Sequence, residues 1–158
     1  IDICNSISQP LELNIIVGQY FDNEVKIKKA ASESIHKVNI YFQPDSILQI
    51  INQSNIGLSA GGITLYELSS LGVPTVGIAL WENQRSNVLS LGEKEIIVPI
   101  DYKKTKNLDQ ELLLSLNYLL KEKKVRQEMS DRGRGLVDGM GAKRVARELV
   151  KIAKLWDL

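Results

Sequence analysis

The chain alternates short apolar runs, rich in Ile, Leu and Val, with segments in which apolar residues recur at helical spacing. The five apolar runs span residues 11–18, 37–42, 55–60, 74–80 and 95–100. Runs of this length, separated by segments long enough for a helix, are typical of strands in a parallel sheet. We therefore predict one α/β domain over residues 1–158, built on a doubly wound, Rossmann-like parallel sheet.

Helical spacing is clearest in three segments. In residues 46–55 (SILQIINQSN), Ile47, Leu48, Ile50 and Ile51 can share one face, after a capping Asp45 or Ser46. A polar break at residues 103–107 (KKTKN) precedes a strongly helical stretch over residues 107–133, and a last helix is predicted over about residues 142–155.

The last predicted helix is amphipathic. Its apolar stripe consists of Val145, Leu149, Ile152 and Trp156, and its basic stripe of Lys143, Arg147, Lys151 and Lys154. A helix that lies on a membrane surface has this composition, and so does a terminal helix packed on its own domain. We favour the packed helix; if a further domain adjoins this one, part of the apolar stripe is instead its docking surface.

Composition and charge narrow the classes of partner. The 158 residues are 44% hydrophobic, enough for a substantial core. Twenty basic and 19 acidic side chains give a net charge of +1, so we expect neither nucleic acid nor a membrane as a partner.

The single Cys4 permits no internal disulfide, which favours a cytoplasmic location. The chain begins at Ile1 rather than at a methionine, and we expect it to be a piece of a longer chain.

Residues 59–67 (SAGGITLYE) follow the third predicted strand, at the sheet edge where parallel sheets bind ligands. Glycine tolerates positive φ and lets a ligand approach the backbone, and the N-terminus of the next helix attracts phosphate. Thr64 adds a hydroxyl, and Glu67, about one turn further on, can accept hydrogen bonds from a ribose. The same residues match a capping box, in which Thr64 caps the Glu67 amide and Glu67 reaches back to Thr64. Taken alone, the motif favours helix initiation, and phosphate binding stays open.

Other signatures of nucleotide or catalytic chemistry are missing. The sequence has neither GxGxxG after its first strand nor GxxxxGK[ST], which argues against nicotinamide cofactors and P-loop chemistry. His36 is the only histidine, and we predict a surface or capping side chain rather than a catalytic base. One histidine allows no Ser/His/Asp or Cys/His arrangement, and no residues have metal-ligand spacing. We expect no cofactor and no metal.

Residues 55–84 (NIGLSAGGITLYELSSLGVPTVGIALWENQ) resemble the donor-binding half of GT-B enzymes, the two-Rossmann-domain architecture of many nucleotide-sugar glycosyltransferases. They are most similar to the group of UDP-sugar hydrolases of pseudaminic acid biosynthesis and relatives named for spore-coat polysaccharide synthesis. The shared pattern is a GAGGSTxxE-like loop, then LGxP, then an NQ pair. The matching residues are Gly61, Gly62, Thr64 and Glu67, then Leu71, Gly72 and Pro74, then Asn83 and Gln84. Residues 11–18 (LELNIIVG) and 136–145 (LVDGMGAKRV, resembling a DGxGxxR segment) agree as well.

The resemblance implies a role for each residue of the glycine-rich loop. Gly61, Gly62 and Thr64 are implied to face the pyrophosphate of a nucleotide sugar, and Glu67 to face its ribose. Ile63 departs from the pattern, because relatives often carry serine there. That difference removes one hydroxyl from the loop.

The NQ pair is implied to face the diphosphate or the sugar. Asn83 and Gln84 follow the fourth predicted strand, at the same sheet edge as the loop, and their amides suit neutral hydroxyls. The alternative is helix capping by Asn83 with Gln84 in solvent. For Arg85 we expect a solvated side chain rather than a phosphate ligand.

The implied function is binding of a UDP-sugar or related nucleotide sugar, in a hydrolase or glycosyltransferase of surface-polysaccharide or sialic-acid-like sugar biosynthesis. In the resembled hydrolases the base that activates water lies on the N-terminal domain. We therefore expect this chain to be the C-terminal part of a two-domain protein, to have that N-terminal domain as its partner and to be inactive alone.

Two alternatives remain. One is the donor domain of a transferase resembling the enzyme that adds N-acetylglucosamine to the lipid-linked peptidoglycan precursor. The other is a non-catalytic, flavodoxin-like interaction module, against which the strand ends show no acidic cluster for a receiver's magnesium site.

Overall fold

A computed structural model describes residues 1–155 of the chain. The strands are β1 (Glu12–Val17), β2 (Lys37–Phe42), β3 (Gly57–Ala60), β4 (Thr75–Ala79) and β5 (Ile97–Asp101). The helices are α1 (Glu24–Ser32), α2 (Leu48–Asn52), α3 (Thr64–Ser70), α4 (Glu82–Glu93), α5 (Leu108–Lys121), α6 (Lys123–Leu136) and α7 (Gly141–Leu155). All five predicted strands are confirmed, and each of α1 to α4 connects one strand to the next.

Every strand pair is parallel, which confirms the predicted α/β class. Strand β1 pairs with β2, and β3, β4 and β5 form a second ladder in that order. In the second ladder Ala60 lies opposite Ile78, and Ala79 opposite Asp101. The carboxyl ends of β3, β4 and β5 therefore meet at one edge, which is where the glycine-rich loop and the NQ pair follow.

The two ladders border a shared cleft. Its volume is about 870 Å³, and its walls include Leu13 and Ile15 of β1, Leu58 of β3 and Leu116 of α5. Thr64, the first residue of α3, also lines it. The sheet is thus divided between β1 and β3 rather than continuous.

Helices cover both faces of the β3–β4–β5 ladder. Alternate residues of β4 point to opposite faces, and all five are buried. On one face Val76 and Ile78 pack with Leu116 and Leu119 of α5. On the other face lies a second buried cluster, formed by Leu65, Ala79, Val88, Leu91, Ile96 and Ile97, which holds α3 and α4. This arrangement fixes the positions of the two helices that begin at the ligand edge of the sheet.

Helix α3 ends in a Schellman motif, which explains the LGVP sequence. The Val73 amide donates to the Leu68 carbonyl and the Gly72 amide to the Ser69 carbonyl, both at 2.9 Å. Gly72 has a φ of 70°, a conformation that favours glycine. Val73 and Leu68 are both buried in one cluster, which completes the motif. The resembled LGxP segment is thus a helix stop before β4.

Helix boundaries differ from the sequence prediction in two places. Helix α2 begins after Ile47 without a side-chain cap, so neither Asp45 nor Ser46 caps it, and Leu48 is 49% exposed rather than packed. The long helical stretch is broken at Glu122 into α5 and α6. Helix α5 has a side-chain cap, because the Asn107 side chain accepts a hydrogen bond from the Gln110 amide.

Helix α7 forms as predicted but does not pack on the domain. Val145, Leu149 and Ile152 remain 61%, 60% and 52% exposed. The prediction of a packed terminal helix is therefore wrong for these residues, and Trp156 lies outside the described residues. The described apolar stripe of α7 faces solvent in this chain.

The DGxGxxR segment, residues 138–144, spans the turn before α7 and the first turn of that helix. Asp138 accepts hydrogen bonds from the Met140 amide at 2.9 Å and from the Arg144 guanidinium at 2.7 and 3.0 Å. Gly139 has a φ of 70°. The Arg144 guanidinium and then the Met140 amide lower the pKa of Asp138 to about 2. The segment therefore acts as a structural clasp at the start of α7.

Candidate functional site

The β3–α3 loop, residues 61–63, begins the candidate site. The Gly61 amide donates to the Ile78 carbonyl at 2.9 Å, which extends the ladder by one bond beyond β3. A Cβ at Gly61 would lie 2.7 Å from Val88 Cγ2 and 2.8 Å from Gln84 Cβ. Gly61 therefore has a packing reason to be glycine, because α4 approaches the loop too closely for a side chain.

Gly62 is in open space. A Cβ built there would meet nothing within 4 Å. Within residues 1–155 the amides of Ile63 and Thr64 donate to no backbone carbonyl, as is normal for the first turn of a helix. Positive φ, which we proposed as one reason for glycine, occurs at neither Gly61 nor Gly62. The loop thus offers an accessible backbone edge with free N–H donors.

The predicted capping box is not formed. Helix α3 begins after Ile63, and no side chain caps it. Thr64 is the first helical residue, and the Glu67 amide donates to the Ile63 carbonyl at 3.3 Å. Among the described residues neither the Thr64 hydroxyl nor the Glu67 carboxylate has a hydrogen-bond partner, so both remain available to a ligand.

Glu67 lies three residues after Thr64 on α3, about 4.5 Å further along the helix axis. Its side chain is half-buried. No hydrogen bond within residues 1–155 joins it to Asn83 or Gln84. The fold therefore places Glu67 on the helix that leaves the loop, and its role toward ribose stays a prediction.

Asn83 and Gln84 lie in the first turn of α4, beside the loop. Asn83 is exposed, and the helix begins after Trp81 without a side-chain cap, so Asn83 does not cap it. The Leu80 amide donates to Gln84 Oε1 at 3.1 Å. The alternative of a capping Asn83 with a solvated Gln84 is therefore wrong. Gln84 is held by its oxygen, and its NH₂ group is left as a donor.

Comparison with known proteins assigns the family. Residues 3–148 match the glycosyltransferase family 28 C-terminal domain. The chain belongs to this family. No curated protein is significantly similar to it in sequence. The broad part of the resemblance, the C-terminal half of a GT-B glycosyltransferase, is thereby confirmed.

Solved structures support the fold of this family 28 domain. Acinetobacter baumannii MurG is similar with a TM-score of 0.66 and 16% identity, over 84% of this chain and 39% of the MurG chain. WaaG, a glycosyltransferase involved in lipopolysaccharide biosynthesis, is similar with a TM-score of 0.63 and 16% identity, over 80% and 33% of the two chains. The chain thus spans less than two-fifths of either solved protein.

Arg85 in this family 28 domain is not a solvated side chain, contrary to our expectation. Its Nε and Nη2 lie 3.0 and 2.9 Å from Asp101 Oδ2, and its Nη1 donates to Glu82 Oε1 at 2.9 Å. The hydrogen bond to Glu82, then the hydrogen bond to Asp101 and the charges of both carboxylates, raise the pKa of Arg85. Sequence reasoning missed Asp101, although an acid that ends an apolar strand is a signal that could have identified it.

Asn87 is a second residue that sequence reasoning missed. Its Nδ2 donates to the Gly61 carbonyl at 3.4 Å, and its Oδ1 accepts from the Tyr66 hydroxyl at 3.2 Å. Asn87 thereby joins α4 to both the loop and α3. Only its position, one helical turn after Asn83 and Gln84, could have indicated from the sequence that Asn87 lies beside the loop.

His36 is buried rather than on the surface, with 7% exposure. The Leu11 amide lies 3.4 Å from Nδ1, and Nε2 lies 2.7 Å from the Cys4 carbonyl oxygen. Since Nδ1 accepts, Nε2 carries the proton and donates to Cys4. His36 therefore ties the start of the chain to β1 and β2, away from the loop and the NQ pair.

Within residues 1–155 no group of three or more His, Cys, Asp or Glu side chains is arranged to hold a metal ion. Over the same residues, no helix has the length and hydrophobicity needed to cross a bilayer.

Proposed function

We propose that this domain binds a nucleotide sugar, with UDP as its nucleotide, at the carboxyl edge of β3 and β4. The observation that carries the proposal is the open space at Gly62 beside the free amides of Ile63 and Thr64. Such a helix start is a natural site for phosphate oxygens. In this proposal Gly61, Gly62 and Thr64 face the pyrophosphate.

The remaining site residues contact the other parts of the nucleotide sugar. Glu67, one turn along α3, accepts hydrogen bonds from the two ribose hydroxyls. Asn83 and the free NH₂ of Gln84 meet the diphosphate or the sugar, since both lie in the first turn of α4 beside Gly61. Carboxylate and amide groups are suited to hydroxyl ligands without a metal.

We infer that the domain serves a two-domain enzyme whose other half lies outside this chain. Family membership and the coverage of only 39% and 33% of the solved chains support this inference. The domain holds the diphosphate as it departs and presents the anomeric carbon to the other half. The exposed apolar stripe of α7 is the surface that we assign to contact with that N-terminal domain. We place the protein in the cytoplasm, where nucleotide sugars are made.

The reaction depends on which nucleophile the other domain supplies. We propose a UDP-sugar hydrolase of pseudaminic acid or spore-coat polysaccharide type, because the ordered loop, LGxP and NQ pattern is most similar to that group. Family 28 membership equally supports transfer to a sugar acceptor, as in an N-acetylglucosaminyl transferase. In the longer protein, release of free sugar without an acceptor identifies the hydrolase, and acceptor-dependent product identifies the transferase.

Calorimetric titration of UDP into the purified domain tests the binding proposal, with CDP, GDP and NAD as comparators. We expect UDP to bind selectively and both Gly62→Val and Glu67→Ala to abolish binding, with circular dichroism unchanged. Gly135→Val and Glu93→Ala are matched controls on exposed helical positions away from the loop, and they should bind UDP normally. Absence of binding at millimolar UDP would overturn the proposal, and equal binding of all four nucleotides would overturn the choice of UDP. Absence of affinity for all four nucleotides would favour the non-catalytic interaction module.

A further inference from the structure

Asp101 is a buried carboxylate at the ligand edge of the sheet. It ends β5, and its side chain is 7% exposed. Oδ2 receives Nε and Nη2 of Arg85 at 3.0 and 2.9 Å, and Oδ1 accepts from the Lys103 amide at 3.2 Å. A carboxylate removed from water requires such partners. The Arg85 ion pair is therefore the principal polar bond between the first turn of α4 and the end of β5.

The guanidinium of Arg85 is paired with two carboxylates, Asp101 and Glu82. Its Nη1 donates to Glu82, whose other oxygen pairs with the Lys103 side chain. Hydrogen bonds from Lys103 and then from Arg85 lower the pKa of Glu82. Glu82 and Lys103 are 62% and 60% exposed, and exposed pairs contribute little. The Arg85–Asp101 pair is the buried part of this network, and Arg85 has no charge left unbalanced for a phosphate.

Gln84, the neighbour of Arg85, lies in the same helical turn at the start of α4. Its Oε1 accepts from the Leu80 amide at 3.1 Å, and its Cβ and carbonyl oxygen face Gly61. A shift of the α4 start would move all of these atoms together, because they belong to one helical turn.

We propose that the Arg85–Asp101 ion pair positions Gln84, by holding the first turn of α4 so that Gln84 Oε1 stays on the Leu80 amide and its NH₂ group stays free to donate to a ligand. This inference rests on the proposed function for its ligand, but the positioning itself is a property of the free domain. Arg85 and Asp101 are thus positioning residues and do not touch the nucleotide sugar.

Amide hydrogen exchange at Leu80, followed by NMR in the ligand-free domain, tests the positioning. Gln84→Ala sets the exchange rate of a Leu80 amide without its acceptor. We expect Arg85→Met and Asp101→Asn to bring Leu80 close to that rate, an increase of up to about tenfold, the range for loss of one hydrogen bond. Arg85→Lys keeps the positive charge but cannot place two nitrogens on Asp101 Oδ2, as Nε and Nη2 of Arg85 do. It should therefore retain only part of the protection of the Leu80 amide. Lys103→Met, which removes only the exposed pair with Glu82, is the control and should leave Leu80 unchanged.

The amide of Val76, a fully buried residue of the central strand β4, reports global stability in the same spectra. Faster exchange at Leu80 with unchanged Val76 supports positioning. Unchanged exchange at Leu80 in both Arg85→Met and Asp101→Asn, or an equal increase at Val76, overturns it. A UDP titration of the same variants should show affinity reduced by about tenfold for Arg85→Met, the size expected of one misplaced hydrogen-bond donor. Failure of the wild-type domain to bind UDP would refute the proposed ligand, while the Leu80 measurement would still decide the positioning.

Discussion

Gly61 and Gly62 are adjacent in the β3–α3 loop but have different surroundings. A Cβ at Gly61 would lie 2.7 Å from Val88 Cγ2 and 3.0 Å from the Gln84 carbonyl oxygen, whereas one at Gly62 would contact nothing within 4 Å. We expect Gly61→Ala to lower the free energy of unfolding by about 1–3 kcal/mol, as overpacking does. Gly62→Ala should change it by less than about 0.5 kcal/mol. Urea unfolding measures both, and similar losses for the two variants would contradict the division between a packed and an accessible glycine.

Asp138 provides a pH prediction, because the Arg144 guanidinium and then the Met140 amide lower its pKa to about 2 from 3.8. A lowered folded-state pKa means that the pair stabilises the turn above about pH 3.8 and is lost as the pH falls through about 2. The Asp138 carboxyl carbon should titrate by NMR with a midpoint near 2. Arg144→Leu should move this midpoint towards 3.8, and Lys143→Leu, which leaves the pair intact, should not. A midpoint of 3.8 in the unsubstituted chain would mean that the clasp is open in solution.

The end of α3 depends on Gly72 in two ways. Its φ of 70° is costly for residues with a Cβ, and a Cβ there would lie 2.4 Å from Arg134 Nε. We expect Gly72→Ala to lower the free energy of unfolding by about 1–2 kcal/mol from the backbone alone, and further through displacement of Arg134. Gly135→Ala in α6 is the matched control, because nothing lies within 4 Å of its added Cβ. Gly135→Ala should raise the free energy of unfolding by up to about 1 kcal/mol through helix propensity. Thermal unfolding followed by circular dichroism distinguishes this stabilisation from the destabilisation expected of Gly72→Ala.

The strands were predictable because each is a short apolar run between helical segments, and β4 is buried along its whole length. Helix starts were less predictable. Thr64 has the chemistry of a cap, but Ile63 is the N-cap residue and Thr64 is already the first residue of α3, so the Thr64 hydroxyl caps nothing among the described residues. The Arg85–Asp101 pair joins residues 16 apart, and only the register of β4 with β5 brings them together. The sequence pattern placed the loop after β3 and the NQ pair after β4, while the contacts that hold them required the fold.

Within residues 1–155, helix α7 carries an apolar stripe that the core of the domain does not use. The helical pattern of α7 predicted a helix correctly, but a pattern cannot specify which surface the helix covers. Its apolar face stays exposed in this chain, which spans 39% of the MurG chain and 33% of the WaaG chain. A surface of this kind is consistent with the two-domain protein that we propose.

Substitution of α7 tests that interpretation at the scale of the whole molecule. Val145 and Leu149 are 61% and 60% exposed, so replacing both with serine should change the free energy of unfolding of this chain by less than about 0.5 kcal/mol per site. Leu119→Ala is the control, because Leu119 is fully buried and its loss should cost about 2–5 kcal/mol. In a longer protein that contains the N-terminal domain, the same serine variant should lower stability measurably, because there we expect the stripe to be covered. A large loss already in this chain would show that α7 packs on its own domain in solution, and the stripe could then not serve as the docking surface.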